Sequence, residues 1–282
     1  MKKKWLNVVR LSALVGVGLL TSCSEDAMQV AGSSEESITL KEATEDAEIN
    51  EVSDASSDII EEVYVLQEYP ETKSSEADQF LPSCTTVTRE FDNATKTVTI
   101  DFGEGCTLRN GNVLGGKIVF VYDVDREAAS VQLAFEYQDF SFNGNVVSGG
   151  GTILRERENA NGNPQSTKTV DITVTWPDGT FAQRKGQRVR EMIEGQGTSA
   201  WGDNVFSITG DWSFTRKNGV EITVSIQEAL RRELACRFIV SGVIMFTRGE
   251  STALLDYGDG NCDDKATLTR NGGEPNEIHL RG

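Results

Sequence analysis

From Ser83 and Cys84 onward, apolar and polar positions alternate with a period of two. Val170, Ile172, Val174 and Trp176 are interleaved with Asp171, Thr173 and Thr175. Phe206, Ile208, Trp212 and Phe214 alternate with Ser207, Thr209, Asp211 and Ser213, and Val220, Ile222, Val224 and Ile226 repeat the pattern. Strict alternation describes strands with one face in a core and the other in water. Turn chemistry punctuates them at Asn143-Gly144-Asn145, Asn161-Gly162-Asn163-Pro164, Pro177-Asp178-Gly179, Asn218-Gly219 and Asn271-Gly272-Gly273. Apolar residues are odd-numbered from Val131 to Tyr137 but even at Phe140 and Phe142, which predicts a β-bulge near Gln138-Asp139. The run Phe238–Phe246 is apolar in both phases and is expected to lie deepest, while Gln227–Leu234 reads as a short helix. The expected fold is all-β, an antiparallel meander of twelve or thirteen strands. It forms either a sandwich or a strongly coiled, partly closed sheet. No outward apolar band with aromatic girdles marks a transmembrane barrel.

Upstream of the strands the period is helical. Ile49, Val52, Ile59, Ile60, Val63 and Leu66 recur at helical spacing, Thr39-Leu40-Lys41-Glu42 has the form of a capping box, and Pro70 ends the run. A helix is expected within residues 40–68, most securely from Asp54 to Glu68. Charge changes how this stretch is read. Of the formal net charge of −17, most lies between Ser24 and Asp78, where 17 Asp and Glu face two Lys. Such a segment repels itself and stays solvated. Residues 23–82 therefore read as an acidic tether leading to a β domain at 83–282. The alternative is a helix that docks its apolar stripe on the β domain or on a partner. Nucleic acid is disfavoured as a partner, because its phosphates would be repelled.

The first 22 residues are a leader. Lys2, Lys3 and Lys4 precede the apolar run Leu11–Leu20, which is too short to span a bilayer. It ends in Leu20-Thr21-Ser22-Cys23, which resembles the lipobox of bacterial lipoproteins. The resemblance implies cleavage before Cys23 and acylation of that cysteine, with palmitate-type chains as the membrane anchor; two or more such chains hold a protein stably at a bilayer. A soluble secreted protein is the alternative. Ser24-Glu25-Asp26 resembles the signal that carries Bacteroidetes-type lipoproteins to the outer face of the outer membrane.

Four cysteines remain, with three pairings open to them in an oxidising compartment. Positions 84 and 106 are centred beside the turn Asp92-Asn93-Ala94, and positions 236 and 262 on the turn Arg248-Gly249-Glu250. Residues equidistant from a hairpin turn face one another within disulfide reach, so Cys84–Cys106 and Cys236–Cys262 are expected. Both hairpins end alike, in Asp101-Phe102-Gly103-Glu104-Gly105-Cys106 and Asp256-Tyr257-Gly258-Asp259-Gly260-Asn261-Cys262. With the lipobox and the acidic tether, this resembles uncharacterised β-rich lipoproteins of Bacteroidetes-type bacteria, a likeness that brings no activity with it.

Candidate chemistry is sparse. Asp259, Asn261 and Asp263 match the opening of a calcium loop. Asp264 stands where that loop wants glycine, however, and Arg270 where it wants Glu, leaving Asp side chains that cap turn N–H groups as the alternative. No other cofactor is expected. Arg155, Arg157, Arg184, Lys185, Arg188 and Arg190 form a basic band. It reads either as an anion site or dock for the acidic tether, or as cross-strand pairing with Glu156, Glu158, Glu191 and Glu194. His279, the sole histidine, lies three residues from the end, so histidine-based nucleophilic or metal catalysis is disfavoured. Of the tryptophans in the folded part, Trp201 is the candidate for stacking on a sugar; Trp176 and Trp212 fit the core alternation. The expectation is a non-catalytic envelope lipoprotein whose partner is a glycan or an envelope protein. A carrier for an amphiphile and a carboxylate-dependent hydrolase are its rivals.

Overall fold

A computed structural model describes residues 37–68, 81–198 and 201–280. The leader and Cys23 lie outside the described residues, as does the side chain of Trp201. Helix α1 (Leu40–Glu68) is followed by fourteen strands. They are β1 (Thr86–Asp92), β2 (Thr95–Asp101), β3 (Cys106–Thr107), β4 (Val113–Asp123), β5 (Ser130–Phe142), β6 (Asn145–Glu156) and β7 (Gln165–Thr175). Then come β8 (Phe181–Glu194), β9 (Val205–Arg216), β10 (Glu221–Glu233), β11 (Ile239–Arg248), β12 (Ser251–Asp259), β13 (Lys265–Arg270) and β14 (Asn276–His279). All belong to one antiparallel sheet in sequence order, with β3 set aside as a short partner of β4. The sheet is not closed: β1 and β14 are its edges. It is thus the coiled, partly closed alternative, not the sandwich.

The sheet wraps around α1. From Val52 to Ile60 every residue is buried, and nine consecutive helical residues point in all directions around the axis. Thr39 and Glu42 cap the helix reciprocally: Glu42 N–H donates to Thr39 Oγ1 (3.2 Å), and Thr39 N–H to Glu42 Oε2 (2.7 Å). The described residues form one compact unit. The solvated tether expected for this stretch does not describe residues 40–68, which lie inside the β head.

The wall follows the period-two pattern. Inward residues Val98, Ile100, Phe120, Leu133, Ile172, Phe214, Val224 and Leu255 are fully or almost fully buried. The expected bulge is present: the β4–β5 register shifts between Gly115 and Lys117, the β5–β6 register shifts between Glu136 and Phe140, and Asp139 has φ 48°. Coiling requires close strand contact. A Cβ on Gly150 would stand 2.1 Å from the Phe135 carbonyl oxygen, and one on Gly151 2.1 Å from that of Thr169.

Two local expectations are corrected. Gln227–Leu234 is no helix; β10 continues through it to Glu233, with register shifts against both neighbours. Its Glu, Ala, Leu and Arg residues favour a helix in isolation, but pairing with β9 and β11 overrides so weak a bias. The run Phe238–Phe246 is not buried on both faces: Val240, Ile244 and Phe246 are in the core, whereas Ile239, Val243 and Met245 are half-buried. Cys84 is bonded to Cys106 and Cys236 to Cys262, each with Cα atoms 5.7 Å apart. In the first hairpin the β1–β2 ladder ends at Thr86 opposite Asp101, and β3 carries Cys106 back towards Cys84.

Candidate functional site

The interior is a charged seam between α1 and the wall. Every inward cation sits in the apolar phase of its strand. Lys96 is in step with Val98 and Ile100, Lys168 with Val170 and Ile172, Arg216 with Phe214, Arg232 with Leu230, and Arg248 with Phe246. Alternation thus aims these side chains at the helix, and the helix meets them with carboxylates. Arg248 and Arg216 converge on Glu42 (2.6 and 3.4 Å), and Arg216 also reaches Glu45 (3.0 Å). Arg188 and Lys168 hold Asp54 (3.0 and 3.2 Å). Arg190 and Arg232 share Asp58, and Arg190 also reaches Glu61 (2.9 Å). At the far end Lys96 and Arg126 pair with Glu68, which also accepts from Tyr122 Oη (2.5 Å).

One part is wired through neutral groups. Trp212 Nε1 donates to Asp46 (2.7 Å), and Asn50 Nδ2 donates to the same carboxylate (3.0 Å). Asn50 Oδ1 in turn accepts from Arg184 and Arg188. The Trp212 indole lies under both guanidinium groups, 4.0 Å from Arg184 and 5.0 Å from Arg188. Gly186 makes this possible: it is paired with Trp212, and a Cβ there would stand 2.4 Å from Trp212 Cα.

Burial sets the protonation behaviour. Desolvation raises the Asp46 carboxyl despite the nearby Arg184. Burial acts on Asp54 in the same direction, but Arg188, Lys168 and Arg232 outweigh it and hold that carboxyl well below the usual range. The Lys168 ammonium is brought down to about 8 by desolvation, against the pull of Asp54. Burial likewise brings Arg184 down to about 10. Several buried donors have no partner, among them Arg184 Nη2, Arg188 Nε and Arg232 Nε.

Of the basic band, Arg155, Arg184, Arg188 and Arg190 face α1. Lys185 faces outward to Asp171 (3.0 Å), and Arg157 bonds the Arg126 carbonyl. The cross-strand pairing expected with Glu156, Glu158, Glu191 and Glu194 is not what organises the band. Glu191 accepts from Asn161 and Asn163, and Glu194 from Arg231. The acidic segment docks here instead.

The calcium-loop residues serve their own turns. Asn261 Nδ2 donates to Asp259 (3.0 Å), Asp263 accepts from the Lys265 N–H (3.1 Å), and Asp256 from the Gly258 N–H (2.8 Å). Among the described residues no group of three or more His, Cys, Asp or Glu is placed to hold a metal ion. His279 pairs with Asp264 (2.9 Å), and Trp176 Nε1 donates to Glu48 (2.6 Å).

A cavity of about 660 Å³ lies beside the seam, between the middle of α1, the loop after β3 and the β10–β11 turn. Arg237 on that turn reaches Glu51 (3.3 Å) and Asn112 (3.1 Å), joining the turn to the helix and to the loop.

Among the described residues, no helix is long and apolar enough to cross a membrane. Comparisons with protein-family models, with curated proteins and with solved structures find no match to this chain.

Proposed function

We propose that the protein is a lipid-anchored, non-catalytic β protein of the outer membrane, whose outer surface engages a glycan or an envelope protein. The observation that carries this reading is the occupation of the sheet's inward face by α1. A concave sheet offers its inward face as the natural place for a substrate, and here the chain's own helix fills that face. Four of its carboxylates, Glu42, Asp54, Asp58 and Glu61, are each held by Arg or Lys. Contact with a partner then falls to the outer wall and its loops. The address rests on the leader ending in Leu20-Thr21-Ser22-Cys23 and on the acidic residues behind it; the two disulfides suit an oxidising compartment.

The test is mass spectrometry of the native protein combined with protease treatment of intact cells. Acyl chains on Cys23, and loss of the β head on shaving, are the expected results. An unmodified Cys23 overturns the anchor, and a head protected until the outer membrane is broken overturns its outward orientation.

A further inference from the structure

We propose that the free edge of β1 is a docking strand for an extended segment of another polypeptide, one that carries an acidic residue between two apolar ones. The direction of the backbone groups on β1 follows from its neighbours. The Val124 N–H donates to the Ala94 carbonyl (2.8 Å), and the Phe102 N–H to that of Gly116 (2.9 Å). Even-numbered residues along β2 therefore aim their backbone groups at β4, and Thr95, Thr97, Thr99 and Asp101 aim theirs at β1. The partners of these four are Asp92, Glu90, Thr88 and Thr86. That leaves the N–H and C=O groups of Val87, Arg89 and Phe91 turned to the open edge of the sheet, a row whose spacing another extended backbone matches.

The same three residues carry the inward side chains of β1. Val87 faces Ile100, Arg89 faces Val98, and Phe91 faces Lys96. Ile100 and Val98 are fully buried, yet Val87 is half-buried and Phe91 is 63% exposed, with Lys96 Nζ 4.9 Å from the centre of its ring. The apolar row thus stops at β1 for want of a next strand. Arg89, between the two apolar residues, is exposed, and its side chain is in no ion pair or hydrogen bond among the described residues. Arg89 also decides against a second copy of this chain. Two β1 strands paired antiparallel about their centres would set Arg89 against Arg89, and like charges directly opposite are destabilising. An acidic residue at that place, with apolar residues two positions to either side of it, complements all three side chains.

The edge is preformed, which lowers the ordering cost of docking. All seven residues of β1 pair with β2 without a register shift, and the Cys84–Cys106 bridge ties the chain down just before the strand begins. The sheet's other edge, β14, has four residues and follows Pro275, and both short length and proline blunt an edge. The inference deepens the reading above, on which it rests for the partner's place in the envelope, and it selects protein over glycan. The edge itself needs neither acyl chains nor a membrane. Failure of the test below leaves acylation of Cys23 standing, and an unmodified Cys23 leaves the edge standing.

The test is an NMR titration of the mature chain carrying Cys23→Ser with capped seven-residue peptides. The matched peptide, Thr-Val-Thr-Glu-Thr-Val-Thr, sets its Glu opposite Arg89 and its two Val opposite Val87 and Phe91. At about ten times its dissociation constant it should slow amide exchange at Val87, Arg89 and Phe91 about tenfold. Thr88 and Glu90, which already pair with β2 through their backbone groups, should not change. N-methylation of the two Val and the Glu should abolish binding. Lys in place of Glu should weaken binding at least about threefold, and Arg89→Glu should reverse that preference. Arg89 is exposed, and thermal unfolding checks that the variant keeps its fold. No slowing with peptide up to its solubility limit, equal binding of the N-methylated peptide, or indifference to the central charge overturns the proposal. So does slowing of the same three amides with protein concentration alone, which would give the edge to a second copy.

Discussion

The wall and the helix it encloses are both buried, yet they are buried by opposite means. The wall turns Val, Ile, Leu and Phe inward, interrupted by the Lys and Arg that meet the helix, and leaves Thr, Ser and its remaining charged residues outside. Helix α1 carries its acids around the whole circumference, and Glu42, Asp46, Asp54, Asp58 and Glu68 are all buried. Hydrophobic burial is additive and tolerant of exact geometry. Ion pairs in a low-dielectric interior are not: each ion loses several kcal/mol of hydration, and only a well-placed partner offsets that loss. The wall therefore gains stability from its packing, and the helix gains register from its pairing. Asp54 can sit only where Arg188 and Lys168 meet it, and Asp58 only where Arg190 and Arg232 do.

The sharpest way to break this contrast is Asp54→Ala. It strands Arg188 and Lys168 without their carboxylate and should cost about 3–5 kcal/mol in denaturant unfolding, whereas Asp54→Leu combined with Arg188→Leu and Lys168→Met should recover most of it. Recovery by the triple variant separates the cost of an unpaired charge from any special worth of the ion pairs.

Alkaline pH acts on the same seam. Lys168 has a folded value near 8 and an ordinary value of 10.5, so between these the unfolded chain binds more protons. Its contribution to stability should therefore rise from about pH 8 to 10.5, and Lys168→Met should remove that component from the pH profile. Asp54 works at the other extreme. Its depressed carboxyl stabilises the fold above its ordinary value of 3.8, and that stabilisation should be lost as pH falls below it.

Smaller effects are expected from the wall. Ile244→Val removes one methylene from a fully buried position and should cost about 0.5–1.5 kcal/mol. Smallest of all is Lys185→Ala, which breaks an outward pair with Asp171 whose side chains are both more than half exposed; thermal unfolding should register less than about 1 kcal/mol.

The wall was legible because period-two patterning carries its own meaning: Val170, Ile172 and Val174 have one inward phase whatever surrounds them. The capping box and the span of α1 were legible for the same local reason. Its burial was not. Composition between Ser24 and Asp78 describes a segment that should stay in water, and nothing within that segment names the cations that neutralise it. The complementary signal lay elsewhere, in Lys96, Lys168, Arg184, Arg188, Arg216 and Arg248 occupying positions where alternation calls for an apolar residue. Read strand by strand, each is an isolated exception. Taken together, they describe a basic lumen awaiting an acidic occupant. The error over Gln227–Leu234 has a different source, since eight residues of helix-favouring composition cannot reveal that two neighbouring strands pair with them. The cavity was invisible for a related reason: its lining joins residues from 55 to 262, which only the coiling of the sheet brings together.

Of the described elements, the first to leave the ribosome is the last whose environment can be completed. Glu42 waits for Arg248, 206 positions later, and the Ile38 carbonyl for Arg270, 232 positions later. Contacts so distant in sequence make folding slow, and until the final hairpins arrive the first turns of the helix lack Arg248 and Arg270. Chains cut short before β11 lose Arg248 and Arg270 and should therefore leave the first turns of the helix less protected from proteases.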